Sequence, residues 1–215
     1  MIEKLKLVNF IEEKDCFATL HSDVINILFG HRRFVKNIFL QIKGHYEIAH
    51  FGINIINPLN ELVTFSSTPH IEYNLIKQGL WKYDPSFSSK ILNKNTLFWW
   101  NDVSAHIPSP LFREQIKQIK LLNNHFNTGL TLCREVDGFF LLYSYATNSI
   151  KNDLQEYYTS QIFNLIDIGD YFCKSILDIY SEYSGNCSLP QLHQLNSKAS
   201  DLNMRSKLRL IVNNS

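Results

Sequence analysis

The chain has 215 residues, of which 45% are hydrophobic and 13% aromatic, so it can form one large domain with a sizeable core. Its 21 basic and 20 acidic residues leave a net charge of +1, which excludes the strongly basic surface typical of nucleic-acid-binding proteins. The amino terminus lacks the apolar run of a signal peptide, and no stretch approaches the roughly 20 apolar residues of a membrane span. We therefore expect a soluble cytoplasmic protein.

The first half of the chain predicts helices, then a β-hairpin, then another helix. Up to residue 45 the apolar residues recur at helical spacing, with Phe34, Ile38, Leu40 and Ile42 on one stripe. From residue 50 they alternate with a period of two, as in a half-buried strand. The predicted elements are helices ending at Gly30 and Gly44, strands at 50–55 and 62–65, and a helix from Pro69 to Gly79.

The second half predicts a loop, a helix, a second hairpin and a long helix. Residues 84–110 show no clear period and contain several prolines, which indicates an ordered loop with helical fragments. Asp137-Gly138 between two apolar runs is a strong hairpin signal. The elements predicted after the loop are a helix at 112–126, strands at 129–135 and 139–145, and a helix at 149–183 with a continuous apolar side.

This order of elements describes an α+β domain. We expect an α/β/α sandwich, GAF/PAS-like, in which a central antiparallel sheet is flanked by helices on both faces. The domain is expected to span residues 1–183. Residues 184–215 are rich in Asn, Ser, Gln and Leu, and we expect them to form a linker and a short, weakly ordered tail.

The most informative feature is Asp84-Pro85, followed fifteen positions later by Trp99. A residue before proline is held extended, so the Asp84 carboxylate can point inward as a fixed acceptor. An indole can wall the same space, and ligand pockets are mostly apolar with few polar groups that orient the guest. The alternative is that Asp84 only caps a turn, since Asp-Pro is common in turns.

Four local matches, in order and at the right spacing, resemble the autoinducer-binding domain of the LuxR family of quorum-sensing transcription regulators. The resemblance covers roughly residues 20–183. The matches are Asp84-Pro85 after a hairpin and a helix, Trp99 with Asn101-Asp102 behind it, the glycine-led strand in 126–132, and 138–144, where Ser144 lies six positions after Gly138.

The resemblance implies a pocket for an N-acyl homoserine lactone between the sheet and one helical layer. In that pocket Asp84 would accept the ligand's amide N–H, Ser144 would donate to the amide carbonyl, and Trp99 would pack at the lactone end. Thr131, on the glycine-led strand, is a further lining candidate, although a plain strand position explains it better. An unpaired buried Asp84 would have to find another donor, and the pocket would be loosely folded until filled.

Two positions depart from the family pattern. The family has a Trp thirteen positions and a Tyr nine positions before this Asp, where the present chain has Ile71 and Leu75. Ile71 cannot donate a hydrogen bond, so the lactone carbonyl would lose its anchor. This departure from the family pattern is compatible with two alternatives. Either the pocket binds a different amide- or amine-bearing ligand, which Ile71 and Leu75 would contact, or the protein's own side chains fill the pocket.

The sequence contains no recognisable catalytic constellation. It lacks the Gly-x-Ser-x-Gly elbow, the phosphate-binding Gly-Lys loop and the His-Glu-x-x-His pair. Its four scattered cysteines predict neither a zinc site nor a disulfide framework, and its eight histidines have no metal spacing. We therefore expect no enzyme activity, no metal and no cofactor.

The expected partner is a small-molecule signal. Only about 30 residues follow Tyr183, too few for the four-helix DNA-binding head of the family, so DNA contact by this chain alone is not expected. The helix at 149–183 is a candidate seam for a homodimer or heterodimer, and packing on the sheet explains its stripe equally well. In the main alternative, the chain is a ligand-free interaction module that dimerises with intact regulators and modulates them.

Overall fold

The computed structural model describes residues 18–88, 97–103, 107 and 109–185, without the side chains of residues 102 and 103. Over these ranges the chain folds into a six-stranded sheet with helices on both faces, which confirms the predicted α+β class. The strands are Thr19–Leu20 (β1), His50–Ile56 (β2), Glu61–Ser66 (β3), Leu97–Trp99 (β4), Thr128–Val136 (β5) and Phe139–Thr147 (β6). The α-helices are Val24–Gly30 (α1), Arg32–Ile42 (α2), His70–Lys77 (α3), Trp100–Val103 (α4), Pro110–Lys120 (α5), Leu154–Ser160 (α6) and Ile162–Tyr183 (α7).

The strands lie in the order β1-β3-β2-β6-β5-β4. Two antiparallel hairpins, β2–β3 and β5–β6, form the centre of the sheet and are joined by antiparallel pairing of β2 with β6. Asp137 and Gly138 connect β5 to β6 with φ values of 51° and 78°, the left-handed conformation of a two-residue hairpin turn, so the hairpin prediction is confirmed. The central strands are thus antiparallel as predicted, and at one edge the short strand β1, which the sequence did not predict, runs parallel to β3.

Alternation along the strands gives the sheet two different faces. On β6, Leu141 and Tyr143 point to the face covered by α2, α6 and α7, which we call the α7 face. Leu142 and Ser144 point to the opposite face, covered by α3 and α5, which we call the α5 face. The hydrophobic core is therefore divided into two clusters by the sheet.

The apolar stripe predicted for residues 149–183 packs on the sheet. Leu165, Phe172 and Ile176 are fully buried in the core of the α7 face. The stripe is therefore accounted for within the chain, and a dimer seam would have to use another side of the helix.

One continuous helix over 149–183 is a wrong prediction. Gln161 has φ −99° and ψ 9°, outside the helical range, and its N–H bonds to the carbonyls of both Tyr157 and Tyr158. This residue separates α6 from α7. The apolar spacing continues across this break, and neither a glycine nor a proline marks it. The sequence pattern therefore gave no sign that there are two helices.

The helix predicted for 112–126 ends earlier, at Lys120. A short 3-10 turn, Leu122–Asn124, follows, and His125 with φ 56° turns the chain towards β5. Leu122, which the helical spacing placed on the buried side, is consequently exposed.

The buried stripe of α2 is also displaced from the predicted one. Phe34 and Leu40 are exposed, whereas Val35, Ile38 and Phe39 pack into the core. The apolar residues of this segment form two overlapping stripes on the helix surface. The contact of the helix with the sheet determines which of the two stripes is buried.

None of the described helices is both long enough and apolar enough to cross a membrane. Residues 1–17, part of the predicted loop (89–96, 104–106 and 108) and residues 186–215 of the predicted tail lie outside the described residues.

Candidate ligand-binding site

Asp84 is buried on the α5 face, with only 1% of the residue exposed. Its backbone is extended, at φ −89° and ψ 118°, as expected before proline. The Oδ1 atom accepts hydrogen bonds from the backbone N–H of Ser86 at 2.9 Å and from the Ser86 hydroxyl at 2.8 Å. Asp84 therefore caps the short turn Pro85–Phe87. This is the turn-capping role that the sequence offered as the alternative to ligand binding.

Lys120 is the partner of Asp84, and sequence reasoning missed it. Its Nζ lies 2.8 Å from Asp84 Oδ2 and donates to Asp84 Oδ1 at 3.1 Å and to the Ser86 hydroxyl at 2.7 Å. The ammonium also lies 4.0 Å from the centroid of the Trp100 ring, in cation–π geometry. Burial lowers the pKa of Lys120, and the neighbouring Asp84 opposes that shift. The sequence did contain a signal that Lys120 is buried. It follows Ile116 by four residues, which places both side chains on the buried side of α5.

Trp100, and not Trp99, lies beside Asp84. Leu97–Trp99 form an edge strand within the predicted loop, and the side chain of Trp99 consequently points to the α7 face, where its ring packs against Tyr158 at a centroid distance of 6.3 Å. The next residue, Trp100, begins α4 and packs into the α5 face. The sequence placed Trp99 beside Asp84, and the structure places Trp100 there instead. The difference arises because the sequence pattern did not reveal the strand Leu97–Trp99.

Thr131 and Ser144 are brought together, and both lie behind Trp100. The Trp100 indole N–H donates to Thr131 Oγ1 at 3.0 Å, and Thr131 Oγ1 lies 2.9 Å from Ser144 Oγ. The Trp100 ring sits directly on Gly129, where an added Cβ would come within 2.3 Å of it. These contacts engage the Ser144 hydroxyl within the chain and fix the indole against the sheet.

Ile71 and Leu75, on α3, border a small enclosed space that we call the inner chamber. Its volume is about 10 Å³, room for at most about one water molecule. The residues that line it are Gly52, Asn54, Ile71, Glu72, Leu75, Ser86, Phe87, Trp100, Lys120 and Ser144. The region where the resemblance places the ligand's amide is therefore almost filled by side chains.

Two further titratable groups, Glu72 and His50, are buried beside the inner chamber. Burial raises the pKa of Glu72 to about 7, and its Oε2 atom has no hydrogen-bond partner within the chain. Burial also lowers the pKa of His50 to about 3, so the imidazole is neutral at pH 7. His50 Nε2 lies 4.0 Å from Glu72 Oε1. Among the described residues, no three His, Cys, Asp or Glu side chains are grouped so that they could hold a metal ion.

A larger space, which we call the outer cavity, lies on the other side of Trp100 and Lys120. Its volume is about 390 Å³, within the range typical of small-molecule sites. Its described lining residues are Asp84, Pro85, Phe98, Trp100, Asn101, Ile107, Arg113, Ile116, Lys117, Lys120, Leu121, Leu122, Phe126 and Asn127. The wall is mostly apolar and aromatic, and the Asp84–Lys120 pair and a few polar side chains contribute the hydrogen-bonding groups.

No protein-family model matches the sequence, and no curated protein matches it. The fold is similar to that of SdiA in complex with octanoyl-rac-glycerol, with a TM-score of 0.52, 11% identity, and coverage of 85% of this chain and 75% of that chain. Escherichia coli SdiA in another structure matches at a TM-score of 0.47, with 11% identity over 73% of this chain and 70% of that one. CepR2 from Burkholderia cenocepacia, an N-acylhomoserine lactone-dependent LuxR-family transcription factor, matches at 0.43, with 10% identity over 67% and 94%. At 11% identity, the match to SdiA with a TM-score of 0.52 shows the fold alone, and this is the fold that the sequence resemblance implied.

Proposed function

We propose that this chain is a small-molecule-sensing domain of LuxR type, which binds an amphipathic signal without chemistry and acts in transcription regulation or quorum sensing. The observation that carries the proposal is the outer cavity of about 390 Å³ beside the buried Asp84–Lys120 pair. An apolar wall with few convergent polar groups is the usual form of a ligand site. The similarity of the fold to SdiA, solved with octanoyl-rac-glycerol, is consistent with this assignment.

In this proposal the apolar part of the ligand packs on the aromatic wall of the outer cavity. Phe98, Trp100 and Phe126 supply that wall, and the Lys120 and Asp84 side chains lie beside it for a polar head. Asp84 contributes through its pair with Lys120 and not as a free acceptor. Thr131, Ser144, Ile71 and Leu75 lie behind that pair and Trp100, and would meet a ligand only after those side chains had moved.

Thermal melting with two acyl probes, octanoyl-rac-glycerol and N-octanoyl homoserine lactone, tests the proposal. A ligand at about 100 times its Kd should raise Tm by about 5–10 °C, because binding to the folded state alone stabilises it by mass action. Ile116→Trp places an indole in the outer cavity and should abolish the gain. Glu114→Trp adds the same side chain on the exposed side of α5 and should retain it. Equal gains in the two variants, or no gain with either probe in the parent protein, would count against the outer cavity as a ligand site.

A specific observation favours the second candidate, a ligand-free interaction module. The Asp84 carboxylate already has donors from Ser86 and Lys120, and the inner chamber holds only about 10 Å³. In such a module the chain would act by pairing with a regulator subunit through the exposed side of α7. Its distinguishing result is that neither probe changes Tm, while the mass in solution shows a stable dimer.

A further inference from the structure

The Lys120 ammonium is the one cationic group among the described residues that line the inner chamber. Both carboxylate oxygens of Asp84 lie close to this ammonium, which donates one hydrogen bond to Asp84 Oδ1 and a second to the Ser86 hydroxyl. Glu72, which also lines the chamber, is 7% exposed and keeps one oxygen without a partner in the chain. The Glu72 carboxyl group in the chamber and the buried Asp84 carboxylate next to Lys120 together favour a cation or a strong N–H donor at this place.

Lys120 fills this site from within the chain. Its nitrogen donates hydrogen bonds to Asp84 Oδ1 and the Ser86 hydroxyl and lies within ion-pair distance of Asp84 Oδ2. The Trp100 ring covers the ammonium at 4.0 Å. Lys120 and Trp100 line both the inner chamber and the outer cavity, and together they form the wall between the two spaces.

We propose that the inner chamber is a latent primary-ammonium site whose built-in occupant is Lys120. The lysine takes the position of a guest's N–H donor facing Asp84, so this part of the domain folds with a counter-charge for Asp84 already in place. A ligand in the outer cavity therefore meets Asp84 as half of an ion pair and not as a free acceptor, and removing the lysine side chain opens the site to small alkylammonium ions. The inference goes beyond the proposed function, because it concerns the inner chamber and its test needs no ligand in the outer cavity.

Chemical rescue of Lys120→Ala tests the inference. The alanine retains Cβ, so the missing atoms are those of n-propylammonium. We expect the substitution to lower Tm by about 10 °C, because it leaves Asp84 buried without its cation. Added n-propylammonium should restore several degrees in this variant and none in the parent protein. Tetramethylammonium, which has no N–H, and propanol, which has no charge, should restore little.

Two variants control for unspecific effects. Lys117→Ala removes an exposed lysine of the same helix, and n-propylammonium should not change its Tm. Lys120→Met removes the charge but keeps the chamber full, so the amine should not rescue it either. Rescue of all three variants to the same extent, or of none while Lys120→Ala retains native helical circular dichroism, would overturn the inference.

A second measurement uses the parent protein and does not depend on a variant that folds. A nitrogen–proton correlation spectrum of lysine side chains should show an ammonium resonance protected from exchange with water at neutral pH, because Lys120 is buried, paired with Asp84 and hydrogen-bonded to Asp84 and Ser86. Absence of any slowly exchanging lysine ammonium would also overturn the inference.

Discussion

Among the described residues, each face of the sheet contains one buried carboxylate paired with a lysine or arginine, and the two pairs lie in different surroundings. On the α7 face, Arg134 Nη1 lies 2.5 Å from Asp170 Oδ2, and the Tyr143 hydroxyl donates to Asp170 Oδ1 at 2.8 Å. On the α5 face, Lys120 pairs with Asp84 at 2.8 Å. The first pair lies within the larger hydrophobic core, whereas the second forms a wall of the outer cavity.

This difference separates a structural ion pair from one placed at a site. Arg134 on β5 and Asp170 on α7 link the sheet to its longest described helix. Lys120 and Asp84 link the end of α5 to a turn, next to a space that water or a ligand can enter. A charge left unpaired on the α7 face cannot be hydrated, while one left on the α5 face can be reached through the outer cavity.

The largest expected effect follows from neutralising one acid of each pair. Asp170→Asn should lower the free energy of unfolding by about 3–5 kcal/mol, because it leaves Arg134 buried without its counter-charge. Asp84→Asn should cost less, about 1–3 kcal/mol, because Lys120 can be hydrated from the outer cavity. Urea denaturation measures both losses of unfolding free energy. Asp178→Asn, at an exposed position, is the control, and its expected change in unfolding free energy is near zero. A greater loss for Asp84→Asn than for Asp170→Asn would contradict the difference drawn between the two faces.

A pair of glycine substitutions compares how closely the two faces are packed. An added Cβ at Gly169 would lie 2.1 Å from the Tyr143 ring, and one at Gly129 would lie 2.3 Å from the Trp100 ring. Tyr143 is enclosed by the core and held by Asp170, so Gly169→Ala should cost about 3 kcal/mol of unfolding free energy. Trp100 borders the outer cavity and can shift into it, so Gly129→Ala should cost about 1 kcal/mol. The same urea experiments test this, and equal costs would show that the outer cavity gives Trp100 no freedom.

One further change in stability on the α5 face depends on pH. Burial raises the pKa of Glu72 from 4.5 to about 7, so the folded state favours its protonated form. Stability from this group is fully present below pH 4.5 and is lost as the pH rises through about 7. Glu72→Gln should therefore gain about 2–3 kcal/mol relative to the parent protein between pH 4 and pH 8, at about 1.4 kcal/mol per pKa unit. A stability difference that stays constant over this range would argue against a raised pKa.

The sequence predicted the regular parts of the fold well. The alternation in 50–55 and 62–65 and the Asp137-Gly138 turn identified two hairpins that the structure confirms. The break at Gln161 was not predictable, because neither a glycine nor a proline marks it. The strand Leu97–Trp99 was not predictable either, because three residues are too few to show an alternating pattern.

The site was predicted only in part, for the same reason. Asp84 was recognised because proline fixes its backbone, and its burial agrees with an inward-pointing carboxylate. Its partner Lys120 lies 36 residues away in sequence, and only the packing of α5 on the sheet brings the two together. The choice between Trp99 and Trp100 depended on the unrecognised edge strand, since adjacent residues there point to opposite faces.

The two adjacent tryptophans allow the most direct test of ligand binding in the outer cavity. The chain has three tryptophans, so a nitrogen–proton spectrum of their indole groups is simple to assign with single Trp→Phe variants. On titration with octanoyl-rac-glycerol or N-octanoyl homoserine lactone, the Trp100 indole resonance should shift to saturation while that of Trp99, on the α7 face, stays in place. A shift of Trp99 with none of Trp100, or no shift with either probe, would contradict the account.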